Sequence, residues 1–297
     1  MTLEIFLQNL SNGIAYGSLY ALIAIGYTMV YGILRLINFA HSNIFLTGAY
    51  LAFVLYAAFK GNWILAYGLS IALTACLGVL TDKIAYKPIR NAPRISALIS
   101  AIAVSFIIEN LLLIIFGGRP LAFPKISLLN KIYNVGGISI PSINIAIILV
   151  SGIILIVLML ILYKTKTGLA MRALSSDFDT ARLMAMDVDK IVSITFAIGS
   201  AIAAVGGIMY ASKFPQIHPY LAAMPGIKAF IAAVVGGIGN VQGAFIGGLT
   251  LGLIEILFVA LFPSLSGYRD AIAFIVLIII LLYKPTGIMG KSGRVKV

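Results

Sequence analysis

Two glutamates are the first residues in this sequence that could do chemistry. Glu109 stands in ISALISAIAVSFIIENLLLIIF and Glu255 in GGLTLGLIEILFVALF, both otherwise apolar. A carboxylate at the centre of a bilayer costs on the order of 3 kcal/mol or more, so each needs a partner, protonation or water. Two readings follow, and the residues weigh them evenly. The glutamates line a polar pathway or take part in proton coupling, or each hydrogen-bonds a neighbouring helix and fixes packing. Asn110, Asn240 and Gln242 stand close enough in sequence to be partners in either case. FIIENLLLIIF also aligns with GLIEILFVALF, Glu109 over Glu255, a faint internal repeat.

Other candidate chemistries fall away. VVGGIGNVQGAFIGGLTLG places Gly239, Gly243 and Gly247 at four-residue spacing, with Gly248 and Gly252 as a second pair. A nucleotide fingerprint would need a preceding strand or a lysine, and neither is present. Close helix packing through small faces fits better, because van der Waals contact must drive helix association in lipid. The GKS at 290–292 lacks the glycine a P-loop requires five residues earlier, where Pro285 stands, so it reads as a basic tail. In RLINFAHSN, Asn38, His41, Ser42 and Asn43 are expected at a turn between the first two spans, hydrogen-bonding a helix start. The other histidine, His218, falls at the opposite side, and no cysteine accompanies either, so no metal site is expected. No Ser/His/Asp set or paired soluble carboxylates occur, which leaves enzyme readings without support.

The elements that must position these residues are membrane helices. The 297 residues are 61% hydrophobic and 10% charged, where a soluble domain carries about 25% charged residues. Mean hydropathy is +1.10. The long runs do not alternate as barrel strands do, so the expected fold is all-α and polytopic. Full spans are expected at about 12–34, 37–58, 63–82, 95–117, 142–163, 191–212, 241–262 and 270–283. The net charge of +12 lies in short loops, the positive-inside pattern, and not in a nucleic-acid-binding patch. Loops 83–94 and 164–190 and the C-terminal tail are the richest in Lys and Arg and are assigned to the cytoplasm. Parity then demands one more crossing, for which AFIAAVVGGIGN, 229–240, is the candidate. At 1.5 Å per residue it reaches about 18 Å against roughly 30 Å of hydrocarbon, so it must be a short or broken helix lining a cavity. The expectation is eight full spans plus this one, with the N-terminus outside and 118–141 as a partly ordered extracytoplasmic cap. MTLEIFLQNL lacks a signal peptide's basic start, so the first helix is expected to be retained. No linker divides the chain, and 1–297 is read as a single domain.

GLAMRALSSDFDTARLMAMDVDK, Gly168 to Lys190, differs from everything around it. It gathers four of the nine acidic residues, Asp177, Asp179, Asp187 and Asp189. Gly168 is expected to break the preceding helix, and Ser176 or Asp177 to cap a new one over 177–186. That helix, about 15 Å long, cannot span. Interfacial helices favour Lys and Arg, so the mixed charge suits a protein partner better than a membrane surface.

The same stretch resembles the cytoplasmic coupling segment of branched-chain amino acid ABC transporter permeases. NGIAYGSLYALIAIGYTMVYGILRLINFAH resembles that family's N-terminal signature, KAFIAAVVGGIGNVQGAFIGGLTLGLIE its late glycine-rich one, and PTGIMG its close. Two departures stand out: the family commonly has glycine where Ala185 and Ser42 sit here. The resemblance implies half of an importer in the prokaryotic inner membrane, with the coupling segment 164–190 and the C-terminus cytoplasmic. A second homologous permease would complete the path. Two cytoplasmic ATP-binding subunits would use ATP and Mg, this chain holding no cofactor. An extracytoplasmic substrate-binding protein would deliver leucine, isoleucine or valine. Arg172, Asp177, Phe178, Ala181, Ala185 and Met186 are the expected ATPase-coupling residues, and Asn38, Glu109, Asn240 and Glu255 the expected translocation-path residues. The alternatives are a permease for a related small solute (urea, short amides, other amino acids) or a proton-coupled secondary transporter.

Overall fold

The computed structural model describes residues 3–90, 92–135, 137–184 and 186–290. Within them lie nine helices long and apolar enough to cross a membrane. The chain runs through α1 (Leu3–Leu34), α2 (His41–Ala58), α3 (Trp63–Thr81, continued by a π and a 3-10 turn), α4 (Arg94–Phe116) and α5 (Ser142–Lys164). Two short helices follow, α6 (Lys166–Ser176) and α7 (Phe178–Leu183), then α8 (Val188–Lys213), α9 (Ala223–Gly236), α10 (Val241–Leu261) and α11 (Arg269–Tyr283). This is an all-α, multi-pass membrane architecture.

α1 is the axis of the bundle. Leu19 and the run Ala21–Ile25 are wholly buried, so a helix apolar on every face is enclosed by α5, α8, α9 and α10 rather than by lipid. α4, α5 and α11 are the least buried and turn Ile, Leu and Phe outward, as lipid-facing helices do.

The glycine stripes on α10 are packing surfaces. A Cβ at Gly252 would lie 2.2 Å from the Gly17 backbone N of α1, and one at Gly247 would lie 2.1 Å from the Ala232 carbonyl of α9. One stripe therefore holds α1 and the other holds α9, each approach requiring the absence of a side chain.

The short ninth element is α9, and its bounds correct the expected 229–240. It begins at Ala223, with a 3-10 turn over Pro219–Ala222 before it, and ends at Gly236. Gly237 closes it with φ +108, a backbone that L side chains rarely adopt. Pro225, Gly226 and Lys228 resembled loop residues in the sequence, yet all three are helical and buried.

The two ends of the bundle differ. At one, which we call the basic end, Arg90 pairs with Asp189 (2.5 Å) and Arg35 Nη2 donates to the Ser175 carbonyl (3.2 Å), so 83–94, 164–190 and the end of α1 meet. Residues 284–290 return to the same end, where Ile288 N donates to Val235 O (2.8 Å) and Met289 N to Gly236 O (2.9 Å), satisfying the last carbonyls of α9. At the other, the cap end, the described residues of 118–141 form two antiparallel pairings. β2 (Ile132–Val135) pairs with β3 (Ile138–Pro141), and β1 (Leu121–Ala122) pairs with β4 (Gln216–Ile217). Gln8 of α1 exchanges two hydrogen bonds with the Ser139 backbone, at 2.7 and 2.8 Å, fixing the hairpin to the bundle.

Candidate functional site

The polar turn after α1 joins the first two membrane helices, as expected, and it is folded into the bundle. Asn38, His41 and Asn43 are buried. Asn38 Oδ1 accepts from Ala40 N (3.1 Å) and Tyr86 OH (2.8 Å), which folds the turn inward. α2 consequently starts beside Gly26, where a Cβ would meet His41 Nε2 at 2.2 Å. Gly26 is eight residues from the end of α1, about 12 Å along the helix axis. α2 has no side-chain cap, so its positive N-terminal end is presented within the bundle.

A cavity of about 230 Å³ lies beside this end, between α2, α4 and α9. Ile102, Ser105, Phe106 and Glu109 face it from α4, and Ala223, Gly226, Ile227 and Phe230 from α9. Each set follows i, i+3, i+4, i+7, one face of a helix. Tyr27, Phe39, Ser42 and Asn43 complete the lining. Asn43 Nδ2 donates to both Ser105 O (2.8 Å) and Ser105 Oγ (2.9 Å), tying α2 to α4.

The second concentration of unusual residues is the pair α6 and α7. Thr165, not Gly168, ends α5. Its side chain accepts from Gly168 N (3.0 Å), capping α6, and Gly168 is buried in the sharp corner this makes, 2.1 Å from the Ile161 carbonyl if it carried a Cβ. Asp177 caps α7, accepting from Thr180 N (3.0 Å) and Thr180 Oγ1 (2.6 Å). The expected helix over 177–186 is thus shorter, Phe178–Leu183, and α6 precedes it. Met171, Leu174 and Ala181 are buried in a core cluster of the bundle, and Phe178 and Met186 pack partly buried against it. What the pair presents outward is different: Leu183 is 86% exposed, Met184 73% and Leu169 60%. Arg172 and Arg182 are also exposed, and the Arg172 guanidinium lies 4.9 Å from the ring centre of Tyr163.

Residues 9–281 match the sequence model of a family described as the permease component of the branched-chain amino acid transport system. The chain belongs to that family. It is 40% identical to the high-affinity branched-chain amino acid transport system permease protein LivH of Escherichia coli K12, over 98% of each chain. It is 37% identical to the corresponding permease protein BraD of Pseudomonas aeruginosa, again over 98% of each. A more distant likeness, 24% identity over 84% of this chain and 77% of the other, is to the ribose import permease protein RbsC of E. coli K12.

For a permease of this family, the surroundings of the residues singled out in the sequence can now be compared. Glu255 is wholly buried and ion-paired through both carboxylate oxygens. Its Oε1 lies 2.9 Å from Lys228 Nζ, and its Oε2 3.1 Å from Arg269 Nε and 3.1 Å from Tyr20 OH. Lys228 also pairs with Asp270 at 2.6 Å. One carboxylate thereby joins α1, α9, α10 and α11, the packing arrangement. Neither Asn240 nor Gln242 reaches it. Asn240 instead caps α10 at Gly243 N (3.1 Å) and donates to the Met289 carbonyl (3.0 Å). Asn110 bonds its own helix at Phe106 O. Glu109 is only partly buried and has no hydrogen bond or ion pair among the described residues. Of Asn38, Glu109, Asn240 and Glu255, Glu109 alone lines the cavity.

Of the six expected coupling residues, Arg172 and Asp177 are exposed, Phe178, Ala181 and Met186 turn inward, and Ala185 lies outside the described residues. Lys228 and Arg269 were not anticipated as counter-charges, whereas Leu183 and Met184 are legible in the sequence as added apolar surface, though not among the expected coupling residues. Lys228 was detectable only by admitting a lysine into a membrane helix.

At the basic end a second ion network surrounds buried Asp82. It takes Arg90 Nη2 (2.6 Å) and Ser193 Oγ (2.7 Å), while Arg90 and Lys87 both reach Asp189. The ends of α3 and α8 are thereby fastened next to α6 and α7.

Proposed function

We propose that this chain is one transmembrane permease subunit of an ATP-driven importer for branched-chain amino acids in the prokaryotic inner membrane, with its basic end cytoplasmic. The carrying observation is the coextensive likeness to LivH, 98% of each chain at 40% identity. The geometry is consistent with that assignment. A second permease completes the path, and two ATPase subunits use ATP and Mg. They bind the exposed tip formed by Leu183 and Met184 with Arg172 and Arg182 around it, and an extracytoplasmic binding protein docks at the cap end. The basic segments 83–90 and 164–184 and residues 284–290 gather at one end, as the positive-inside rule requires of a cytoplasmic face. A related small solute is the second reading, favoured by the ribose import permease among the distant relatives.

The test is purification of the tagged chain from its native membrane in mild detergent, followed by leucine uptake in proteoliposomes. The expected result is stoichiometric recovery of an ATPase and a second permease, with ATP-dependent leucine uptake when the binding protein is added. A chain recovered alone, driving uptake on a proton gradient after ATP depletion, would overturn the reading.

A further inference from the structure

We propose that the cavity between α2, α4 and α9 holds the zwitterionic amino acid in transit, with Glu109 and Asn43 Oδ1 taking its ammonium group. This rests on the importer reading above. Asn43 is 2% exposed. Its amide nitrogen is committed, because it donates to a backbone carbonyl, Ser105 O, which can only accept. The oxygen is therefore the free atom, and Asn43 Oδ1 is buried without a hydrogen-bond partner. A buried acceptor left empty is costly unless something fills it during function. The unpartnered carboxylate of Glu109 lines the same cavity, one helical turn beyond Ser105. The two acceptors left without a partner, Asn43 Oδ1 and Glu109, face a lining with no basic side chain, so the missing group is a donor, and a positive one best satisfies Glu109.

The remaining lining fits the rest of an amino acid. The uncapped N-terminus of α2 offers backbone N–H groups and a positive dipole end to the carboxylate. Ile102, Phe106, Ile227 and Phe230 form the apolar walls that a branched aliphatic side chain would contact. A sugar would present neither charge, and a lipid tail would leave both acceptors unfilled. Glu255, at the matching place in the faint repeat, is already neutralised by Lys228 and Arg269. That contrast separates a ligand-binding glutamate from a packing one.

The experiment uses the whole assembly, permease pair with ATPases and binding protein, in proteoliposomes loaded with ATP and given radiolabelled leucine. Glu109→Gln is expected to lower the maximal uptake rate at least about tenfold, the loss of a charge-assisted hydrogen bond. Glu109→Asp is expected to recover part of it. Both variants should co-purify with the full set of subunits and keep binding-protein-stimulated ATP hydrolysis within about twofold of wild type, because Glu109 touches the ligand and not the coupling apparatus. Unchanged uptake by Glu109→Gln would overturn the proposal. So would loss of the second permease, which would assign Glu109 to a subunit contact, or loss of ATP hydrolysis together with uptake. A wild-type assembly that hydrolyses ATP but moves no leucine would instead sink the substrate assignment, and the proposal with it.

Discussion

Replacing both Leu183 and Met184 by glutamate should separate the permease from its ATPase while leaving the permease folded. Both side chains point away from the protein, at 86% and 73% exposure. Surface changes of this kind usually alter stability by no more than about 0.5 kcal/mol. Fully burying a leucine or methionine side chain against a partner is worth about 1.5–3 kcal/mol. Two residues at the low end give about 3 kcal/mol, and half of that if the groove covers them only in part. At roughly 1.4 kcal/mol per factor of ten, the dissociation constant should rise between about tenfold and 100-fold. The assay is titration of purified ATPase onto the permease pair in nanodiscs by biolayer interferometry, with thermal unfolding of the permease as the control. Ala181→Glu is the contrasting variant. Ala181 is 5% exposed within the cluster that holds Met171 and Leu174, so the carboxylate is forced into an apolar site and the unfolding temperature should fall. An unchanged dissociation constant for the double variant would refute the argument. Weakened ATPase binding by Ala181→Glu at an unchanged unfolding temperature would show that α7 docks by the opposite face.

Lys228→Met should lower the unfolding temperature markedly, because it removes one counter-charge from a carboxylate with no exposure. Breaking a buried pair costs about 3–5 kcal/mol, and retention of Arg269 places this one at the low end. Adding Glu255→Gln should recover part of the loss, and a double variant no more stable than Lys228→Met would contradict the pairing. Gly252→Ala should abolish the monodisperse peak of a fluorescent fusion in size-exclusion chromatography, since its Cβ would lie 2.2 Å from Gly17 N, whereas Gly152→Ala, with nothing within 4 Å, should leave it intact. Asn240→Ala removes a helix cap worth about 1 kcal/mol and the bond to Met289 O. Limited proteolysis from the C-terminal side should therefore become faster, and an unchanged cleavage rate would show that the two backbone bonds from 288 and 289 hold the segment alone.

Hydropathy and charge made most of the fold legible. Long apolar runs and basic loops suffice for helix count and parity because the bilayer imposes helix length and backbone satisfaction on every span. The glycine stripes were equally readable, since only packing explains small residues at that spacing in lipid. Where the reading failed, the missing information was tertiary. Lys228 looked like a loop residue until Glu255 and Asp270 were seen to neutralise it. Asn38 to Asn43 were readable as the turn between the first two helices but not as a buried one, because nothing local says that Tyr86, in a helix end 48 residues away, will reach Asn38 and draw the turn inward. Within 168–190, composition identified a short helix of mixed character but not what its side chains face. A helix on a membrane protein's surface has two possible partners, its own bundle and another subunit. Here the bundle takes Phe178 and Ala181.

The two glutamates illustrate the same point at the level of function. Both sit in apolar helices near the cap end, Glu109 seven residues before the end of α4 and Glu255 six before the end of α10. Their sequence contexts are nearly interchangeable, so hydropathy alone assigns them equal cost. The difference arises from what each helix packs against. α10 is enclosed by α1 and α9, and α11 follows it, and those neighbours supply Tyr20, Lys228 and Arg269. A carboxylate so neutralised cannot respond to a passing solute without first giving up two ion pairs, which argues against proton coupling through Glu255. α4 packs against α2, the π turn after α3 and the 3-10 turn before α9, and among the described residues its neighbours supply Glu109 with no positive charge. An uncompensated carboxylate at this depth is tolerable if the compensating charge comes and goes, as an ammonium group in transit would. The asymmetry of helix packing is thus what converts two similar residues into a structural anchor and a site for cargo.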